Sequence, residues 1–469
     1  MDAKRARKLT LVAAIMGSGI ALLDGTIVNV ALPAIQEDLG GGLAGQQWVV
    51  NAYLLTLGSL ILIGGSLGDL YGERKIFALG VAGFGVASVL CALAPTIETL
   101  IAARAVQGVA SALLTPASLA LIATTFEDEK ERGAAIGTWT AWGAIAAVIG
   151  PLAGGQIVDV TSWRWIFGVN VPFVAVTLGL IFFAVERGTV TERRGRRIDV
   201  VGALLTASGL ALPVYALVQQ PKLGWTSPVV LGGLAGGALL LSLFVVWERH
   251  HRDPMLPLQL FGSRNFAVTN LETLLVYAGL ASLVFFLTIF LQTVAGYSAL
   301  KSGLAGLPTT ILLFVFSGRI GALSGRIGPR LFMGVGPLVA AAGALLLARM
   351  DETVDYFVDL LPAMTVFGTG LALTVAPLTA TVMAEARRGD SGIASGVNNV
   401  VARVAALLGI AVVGVAVAGR SGAELDLPGF RLGMVLTAGL LVGGGLVGLV
   451  GIRNPRVAAD EASVVSSRS

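Results

Sequence analysis

Asp24 is the residue of this chain with the clearest potential for chemistry, because it is a carboxylate inside an otherwise apolar run. The run extends from Leu9 to Pro33, and roughly 20 helical residues are enough to cross the hydrocarbon core of a bilayer. An ionised carboxylate at that depth costs about 2.5 kcal/mol or more on insertion scales. We therefore expect Asp24 to carry a proton, an ion or a cationic substrate.

A polar stripe follows one face of the fourth apolar segment. Its side chains recur every three or four residues, which places them on one side of a helix. They are Arg104, Gln107, Ser111, Thr115 and Ser118. Arg104 could reach the outer surface, or it could lie near Asp24, where a cation favours the ionised form that burial disfavours. In the second arrangement Asp24 would be poised to take up and release a proton.

Glu272 is the second acid well inside an apolar segment. It could reach interfacial water about two turns away, or it could be a second proton carrier. Arg403 ends another polar stripe, which also contains Ser391, Ser395 and Asn399. That stripe predicts either a clamp between helices or a part of the transport pathway.

Polar and aromatic side chains within the apolar segments are candidates for lining a central cavity, where aromatic rings tolerate cations. These candidates are Asn29, Asn51, Gln107, Ser111, Trp142, Tyr277, Asn399 and Arg403. Small residues in the fifth segment have a different use. Gly150, Gly154 and Gly155 surround Pro151; glycines permit close helix approach, and proline favours a kink. Static packing alone could also explain this glycine pattern.

The elements that must position these residues are apolar helices. Soluble domains carry about 25% charged residues, whereas this chain of 469 residues carries 13% charged and 55% hydrophobic residues. We therefore predict an all-α integral membrane protein with fourteen spans. The spans are placed near residues 10–33, 48–66, 76–94, 99–122, 133–156, 165–184, 199–219, 228–247, 266–290, 303–323, 331–349, 357–380, 392–418 and 432–452.

The distribution of basic residues supports this number and predicts the orientation. Strict alternation from a cytoplasmic N-terminus puts 23 lysines and arginines on the cytoplasmic side and 6 in outer loops, with 3 inside or at the ends of spans. Cytoplasmic loops carry the basic excess in membrane proteins. One missed helix would reverse every later loop. The pattern thus predicts a multi-pass protein of the cytoplasmic (inner) membrane with both termini cytoplasmic.

The longest cytoplasmic loops flank the middle pair of spans and divide the chain. We predict an N-terminal six-helix bundle over 1–190, a linker with spans 7 and 8 over 191–262, a C-terminal six-helix bundle over 263–455 and a cytoplasmic tail over 456–469.

An internal repeat supports two related halves. GSLGDLYGERK (Gly65 to Lys75) and GALSGRIGPR (Gly321 to Arg330) each end the second helix of a predicted bundle. Many secondary transporters are built from paired halves with a binding site between them near the midplane.

Other function classes lack their signatures in this sequence. No GxxxxGK[ST] phosphate loop occurs, and no nucleophile–base or metal-ligand cluster indicates an enzyme. Cys91 lies alone in an apolar span, while His250 and His251 share a polar loop. The basic residues lie in short loops, so the net charge of +4 does not indicate nucleic-acid binding. We predict no cofactor, no metal and no obligate protein partner.

Several motifs together resemble a known family. LDGTIVNVALP, GSLGDLYGERK, LIAARAVQG, GPLAGG, WRWIFGVNVP and GIASGVNNVVAR are similar to signatures of the 14-span drug:proton antiporters of the major facilitator superfamily. The resemblance extends through both halves. It implies a major facilitator fold, with two six-helix bundles and two inserted helices.

The resemblance also implies roles for individual residues. Asp24 would be the proton-coupling carboxylate and Arg104 its partner in proton transfer. The glycines and proline of GPLAGG would form the antiporter motif that shapes the fifth helix for rocking. A conformational latch would be formed by Gly65, Asp69, Gly72 and Arg74. Gly325 stands in the second copy where the first has Asp69, so a symmetrical latch is not expected.

The function predicted from these features is proton-coupled export of small amphipathic compounds, such as drugs, antibiotics and lipophilic cations, by alternating access. Its partners would be a small-molecule substrate, protons and the lipid bilayer. A dedicated exporter of one metabolite or antibiotic is the alternative within transporters. A non-transporting membrane receptor or scaffold is the alternative from another class, although the chain offers no sizeable soluble domain for signalling.

Overall fold

The computed structural model describes residues 3–126, 128–185, 199–252, 254–385, 391–421 and 424–454. Fourteen helices in this described part are long and apolar enough to cross a membrane, which confirms the predicted number. The arginine-rich loop 186–198 and the predicted tail over 456–469 lie outside the described residues.

The described chain contains sixteen α-helices, because two of the spans are each built from a short and a long helix. Their bounds are α1 (Ala3–Leu39), α2 (Gly42–Tyr71), α3 (Glu73–Ala92), α4 (Ile97–Thr125), α5 (Glu129–Val160), α6 (Trp165–Gly168), α7 (Asn170–Ala184), α8 (Val200–Leu223), α9 (Pro228–His250), α10 (Arg264–Thr293), α11 (Ala299–Leu304), α12 (Leu307–Ile327), α13 (Arg330–Leu347), α14 (Leu361–Ala384), α15 (Ser391–Ser421) and α16 (Leu427–Gly451). Helices α6 and α7 form the sixth span, and α11 and α12 form the tenth. A short 3₁₀ helix, Leu258–Gly262, precedes α10, and a π-helical turn, Tyr356–Leu360, precedes α14.

Several helices extend beyond the apolar runs that predicted them. The first span was predicted near 10–33, whereas α1 covers Ala3–Leu39. Polar residues continue a helix outside the bilayer core when side chains satisfy its free terminal N–H groups. Asp426, for example, accepts a hydrogen bond from the Gly429 amide at 2.8 Å and starts α16 before the predicted span.

Helix contacts divide the molecule into two bundles and a helix pair. Helices α1 to α7 pack among themselves, and α10 to α16 form the second group. Helices α8 and α9 pack on each other, and α8 also contacts α2 and α15. The predicted arrangement of two bundles with two inserted helices is therefore found, while the residue boundaries assigned to the domains stay predictions.

The repeat is visible in the backbone. Gly72 links α2 to α3 with φ 92°, and Gly328 links α12 to α13 with φ 94°. Both values lie in the region that favours glycine, since a Cβ is strained there. The final glycine of each repeated stretch thus makes the same turn in each bundle.

Because the fourteen spans alternate in direction, both ends of the described chain lie on one side. We call this side the terminal end and the opposite side the loop end. The start of α10 and the end of α16 meet at the terminal end, where Arg264 Nε donates to the Gly451 carbonyl at 2.9 Å.

Candidate functional site

Asp24 and Arg104 form an ion pair inside the first bundle. Both residues are buried, with exposures of 0% and 1%. Arg104 Nη1 donates to Asp24 Oδ2 at 2.5 Å. Of the two arrangements open to Arg104, the structure has the one beside Asp24, and the outer surface is not reached.

Two amides complete the surroundings of the Asp24 carboxylate. Gln107 Nε2 donates to Asp24 Oδ1 at 2.9 Å, and Asn170 Nδ2 donates to the same oxygen at 3.2 Å. Both amides also reach Ser88 Oγ, at 3.0 and 3.3 Å. The carboxylate therefore accepts from three side chains, which belong to α4 and α7, while Ser88 of α3 supports the amides.

Arg104 is held on its other sides as well. Its Nε donates to the Val49 carbonyl at 3.2 Å, and its Nη1 donates to Gln107 Oε1 at 2.5 Å. The guanidinium lies 4.3 Å from the centre of the Tyr53 ring and 5.8 Å from that of Phe167. Ring faces attract cations, so the arginine is fixed by charge, hydrogen bonds and aromatic contact together.

Asn170 and Ser88 were not identified by sequence reasoning. Asn170 lies in the WRWIFGVNVP stretch, but nothing in its spacing pointed to Asp24, which is 146 positions away. Ser88 is a single hydroxyl in the apolar third span. A polar residue facing another polar residue across a bundle gives no periodic signal in either helix.

Glu272 lies in the second bundle with quite different surroundings. It is fully buried, at 0% exposure, and neither carboxylate oxygen has a hydrogen-bond partner. Gly448 of α16 makes room for it, because a Cβ at that position would lie 2.9 Å from Glu272 Oε2. The predicted alternative in which Glu272 reaches interfacial water is therefore not found in the structure.

The predicted antiporter motif lies between α1 and the opposite bundle. A Cβ on Gly150 would collide with Thr26 of α1, and one on Gly154 would collide with Ile27. A Cβ on Gly155 would lie 2.5 Å from the Leu300 Cα in α11. Each glycine thus permits a close approach of two helices that a larger residue would push apart.

Next to this motif, two polar side chains connect the bundles at the loop end. Asp159 of α5 accepts from the Ala299 and Leu300 amides at 2.9 and 3.0 Å. Gln292 of α10 donates to the Val30 carbonyl at 3.0 Å. Sequence reasoning missed both residues, although Asp159 follows Gly155 by one helical turn on the same face.

The loop end also contains a cavity of about 620 Å³, walled by both bundles. Asp159 and Gln292 line it together with Glu37, Tyr297 and Glu424. None of the cavity residues predicted from the sequence is among its lining residues.

Those predicted cavity residues have unequal exposure. Asn51, Gln107 and Ser111 are fully buried, and Gln107 belongs to the Asp24 cluster instead of a cavity wall. Trp142 is 51% exposed on α5. The others are partly buried or exposed: Asn29, Tyr277, Asn399 and Arg403. Arg403 lies at the bundle interface, since a Cβ on Gly58 of α2 would be 3.4 Å from the Arg403 Cβ.

The predicted latch residues lie at the terminal end of α2 and α3. Arg74 donates to the Ile181 carbonyl at 3.3 and 3.2 Å and to that of Phe182 at 3.4 Å, and so connects α3 to the end of α7. Asp69 is partly buried in the last turn of α2. Gly65 faces α4, where a Cβ would be 3.8 Å from the Pro116 Cβ.

The described residues contain no group of three or more His, Cys, Asp or Glu suited to a metal ion.

Helical bundles of this arrangement with a buried charge cluster are typical of membrane transporters. Residues 14–410 match the model of the Major Facilitator Superfamily. The chain belongs to this superfamily, and small-molecule transport is the role that this membership supports.

Several curated relatives are similar over most of the chain. The puromycin resistance protein pur8 of Streptomyces alboniger is 37% identical, covering 96% of this chain and 92% of its own. The multidrug resistance protein Stp of Mycobacterium tuberculosis is 36% identical over 90% of this chain and 78% of its own. The methylenomycin A resistance protein of Bacillus subtilis is 33% identical over 86% of each chain.

Solved structures show the same fold at low sequence identity. A bacterial homologue of the lysosomal transporter Spinster, inward-facing and unoccupied, aligns with a TM-score of 0.66 at 18% identity, covering 96% of this chain and 97% of its own. A POT family transporter bound to a thioalcohol-conjugated peptide aligns with a TM-score of 0.71 at 13% identity, covering 94% of this chain and 95% of its own. These likenesses concern the fold alone.

Proposed function

We propose that this chain exports small amphipathic compounds from the cell in exchange for protons. The observation that carries the proposal is the buried Asp24 carboxylate, which is paired with Arg104 and surrounded by amide donors. A carboxylate so placed in a membrane helix is expected to be functional. No cofactor or enzymatic step is part of the proposal.

The cargo class is supported by the relatives. One similar protein is named for multidrug resistance, and others are named for resistance to one compound, puromycin or methylenomycin A. The single-compound names favour a second candidate, a dedicated exporter of one metabolite or antibiotic. Both candidates use the same proton chemistry and differ only in the breadth of the cargo.

Proton coupling would act through the charge of Asp24. In the ionised state the carboxylate balances the Arg104 cation in a region of low dielectric constant. When Asp24 takes up a proton, Arg104 loses its counter-charge and the two side chains no longer attract each other strongly. The packing of α1 against α4 then favours a different arrangement, in which substrate is released.

Alternating access would require the loop end to open. In the described conformation Asp159 and Gln292 hold the bundles together there. The glycines of α5 let α1, α5 and α11 slide and separate as packed surfaces. We propose that Asp24 is protonated from outside, that substrate leaves there, and that the proton is released to the cytoplasm.

The driving force is sufficient for such an exchange. A one-unit pH difference supplies about 1.4 kcal/mol per proton, and 100 mV adds roughly 2.3 kcal/mol per charge moved. A monovalent cation exchanged for one proton moves no net charge, so efficient cation export would need a second proton. Glu272 is the proposed second carrier, and transport with unchanged voltage dependence in Glu272→Gln would contradict that role.

The remaining assignments are part of the same proposal. The protein would lie in the cytoplasmic membrane with both termini cytoplasmic, as its basic loops indicate. Gly65, Asp69, Gly72 and Arg74 would act as a latch at the terminal end. Asn29, Tyr277 and Arg403 would be among the side chains that meet substrate, and no protein partner is required.

The proton-coupled proposal is tested with the isosteric variant Asp24→Asn in everted vesicles. Transport of a labelled dye, measured with and without a pH gradient and normalised to the amount of folded protein in the membrane, should lose its dependence on the gradient. Asp351→Asn is the matched control, because Asp351 pairs with Arg431 at the surface. Gradient-driven transport by Asp24→Asn at the wild-type rate would overturn the proposal.

The breadth of cargo is a separate measurement. A competition panel of cationic, neutral and anionic compounds should reduce dye transport broadly if the protein is a multidrug exporter. Competition by one compound class alone would establish the dedicated exporter instead. The absence of any substrate-linked proton movement would support neither and would exclude the antiporter.

A further inference from the structure

Two buried acids meet where the inserted helices α8 and α9 reach the terminal end. Asp199 directly precedes α8, and Glu248 lies in the last turn of α9. Their exposures are 5% and 3%. Neither belongs to the proposed transport pathway, and carboxylates are almost never buried to this extent unless they are paired.

The hydrogen bonds to Asp199 favour the ionised form of its carboxylate. Its Oδ1 accepts from the Gly202 amide at 2.8 Å and from Trp247 Nε1 at 2.8 Å. It caps the N-terminus of α8, where the helix dipole favours negative charge. Its second oxygen, Oδ2, is buried and has no hydrogen-bond partner.

Glu248 has the opposite position relative to its helix. Its Oε2 accepts from the Leu256 amide at 3.1 Å, while Oε1 is buried without a partner. Because Glu248 lies at the C-terminus of α9, the helix dipole disfavours negative charge there. Of the two acids, Glu248 is thus the one for which a neutral state is less costly.

The two oxygens without partners, Asp199 Oδ2 and Glu248 Oε1, both lie next to Gly202 of α8. A Cβ on Gly202 would collide with Asp199 Oδ2 and would lie 2.9 Å from Glu248 Oε1. Two adjacent buried carboxylates cannot both be ionised without strong repulsion. A hydrogen atom between these oxygens removes the repulsion and satisfies both atoms.

We infer that Asp199 and Glu248 form a proton-binding site, in which Glu248 Oε1 holds the proton and donates it to Asp199 Oδ2. The proton ties the end of α9 to the start of α8. The other oxygen of the same carboxyl, Glu248 Oε2, holds the Leu256 amide, which lies in the segment that leads to α10 and the second bundle. The site is independent of the proposed transport function and would exist in a protein that transports nothing.

In the described part of the chain, the other titratable groups nearby belong to α9 and the segment after it; the arginines of 186–198 lie outside the described residues. The His251 ring stacks on Trp247 with centroids 5.2 Å apart, while Arg249, His250 and Arg252 are exposed. The lysine of α8, Lys222, is at the opposite end of that helix. None of these groups is a hydrogen-bond partner of Asp199 Oδ2 or Glu248 Oε1.

The inference is tested by infrared spectroscopy on the full chain in nanodiscs. The wild type minus Glu248→Gln difference spectrum at neutral pH should contain a protonated carboxyl C=O band. In Asp199→Asn the neighbouring negative charge is gone, so Glu248 should lose its proton, and the band, at lower pH than in the wild type. Absence of the band, or the same pH midpoint in Asp199→Asn, would overturn the inference.

Thermal unfolding against pH provides an independent readout. The folded pair holds a proton that the unfolded chain has lost, so stability is present at low pH and falls as pH rises through the titration of the folded site. In a Glu272→Gln background, which removes the proton of the other buried acid, Glu248→Gln should remove that fall, because the amide donates without titrating. Glu352→Gln, at an exposed loop acid, is the control and should retain it. A fall of unchanged size after Glu248→Gln in this background would contradict the site.

Discussion

The first helix of each bundle carries one fully buried acid, and the two acids have opposite surroundings. Asp24 in α1 accepts hydrogen bonds from Arg104, Gln107 and Asn170. Glu272 in α10 accepts none, and its neighbour across the helix interface is a glycine, Gly448. The same chemical group is thus stabilised as an anion in one bundle and left without any donor in the other.

This difference shows that burial alone does not determine what a membrane carboxylate does. A cation makes the charged form of Asp24 tolerable, whereas an isolated buried carboxylate is least costly as the neutral acid. Their depths differ too. At 1.5 Å per residue, Asp24 is roughly 22 Å from the loop end of α1, and Glu272 is roughly 12 Å from the terminal end of α10. Glu272 thus lies closer to a helix end than Asp24 does.

Removing the cation should have the largest effect. We expect Arg104→Leu to lose gradient-driven transport and to lower the free energy of unfolding by about 3–5 kcal/mol, because it leaves a buried carboxylate without its counter-charge. Chemical unfolding in detergent measures this. The double variant Asp24→Asn with Arg104→Leu should recover part of the stability. A double variant less stable than Arg104→Leu would show that the pair is not the source of the loss.

The second largest effect is the loss of stability expected on removing Asn170 of the first bundle, compared with removing Asn398 of the second. Asn170 donates to the Asp24 carboxylate, whereas Asn398 donates to neutral groups, Asn270 Oδ1 at 3.1 Å and Thr273 Oγ1 at 2.8 Å. Hydrogen bonds to charged groups contribute about 1.5–3 kcal/mol and those between neutral groups about 0.5–1.5 kcal/mol. Asn170→Ala should therefore destabilise more than Asn398→Ala in the same unfolding assay. Equal losses would mean that Asp24 is not ionised in the resting protein.

The sequence was sufficient to predict the fourteen spans, because long apolar runs and the basic residues of the loops are local signals. It also placed Arg104 as a possible partner of Asp24, since two charges buried in one bundle have few alternatives. The helix ends were less predictable. An apolar run follows the bilayer core, whereas caps such as Asp426 extend the helix into water.

The donors around Asp24 and the contacts between bundles could not be predicted in the same way. Asn170, Ser88 and Asp159 act through side chains of other helices, so their roles depend on rotation and packing that no single run encodes. Glu272 also shows that side-chain partners cannot be predicted from the position of a residue in the sequence. Its sequence position parallels that of Asp24, but the partners that would make it an ion pair are absent from its described neighbours.

The smallest expected effect belongs to Glu272→Gln. If Glu272 is a neutral acid, the amide preserves its shape and lack of charge, and the free energy of unfolding at about pH 4, where the unfolded acid is also largely protonated, should change by no more than about 1 kcal/mol. Asp24→Asn is the matched isosteric change in the first bundle. It should cost several times more, because it deprives Arg104 of its counter-charge. A stabilisation of several kcal/mol in Glu272→Gln at that pH would show that Glu272 is ionised when buried, and would remove the contrast between the two acids.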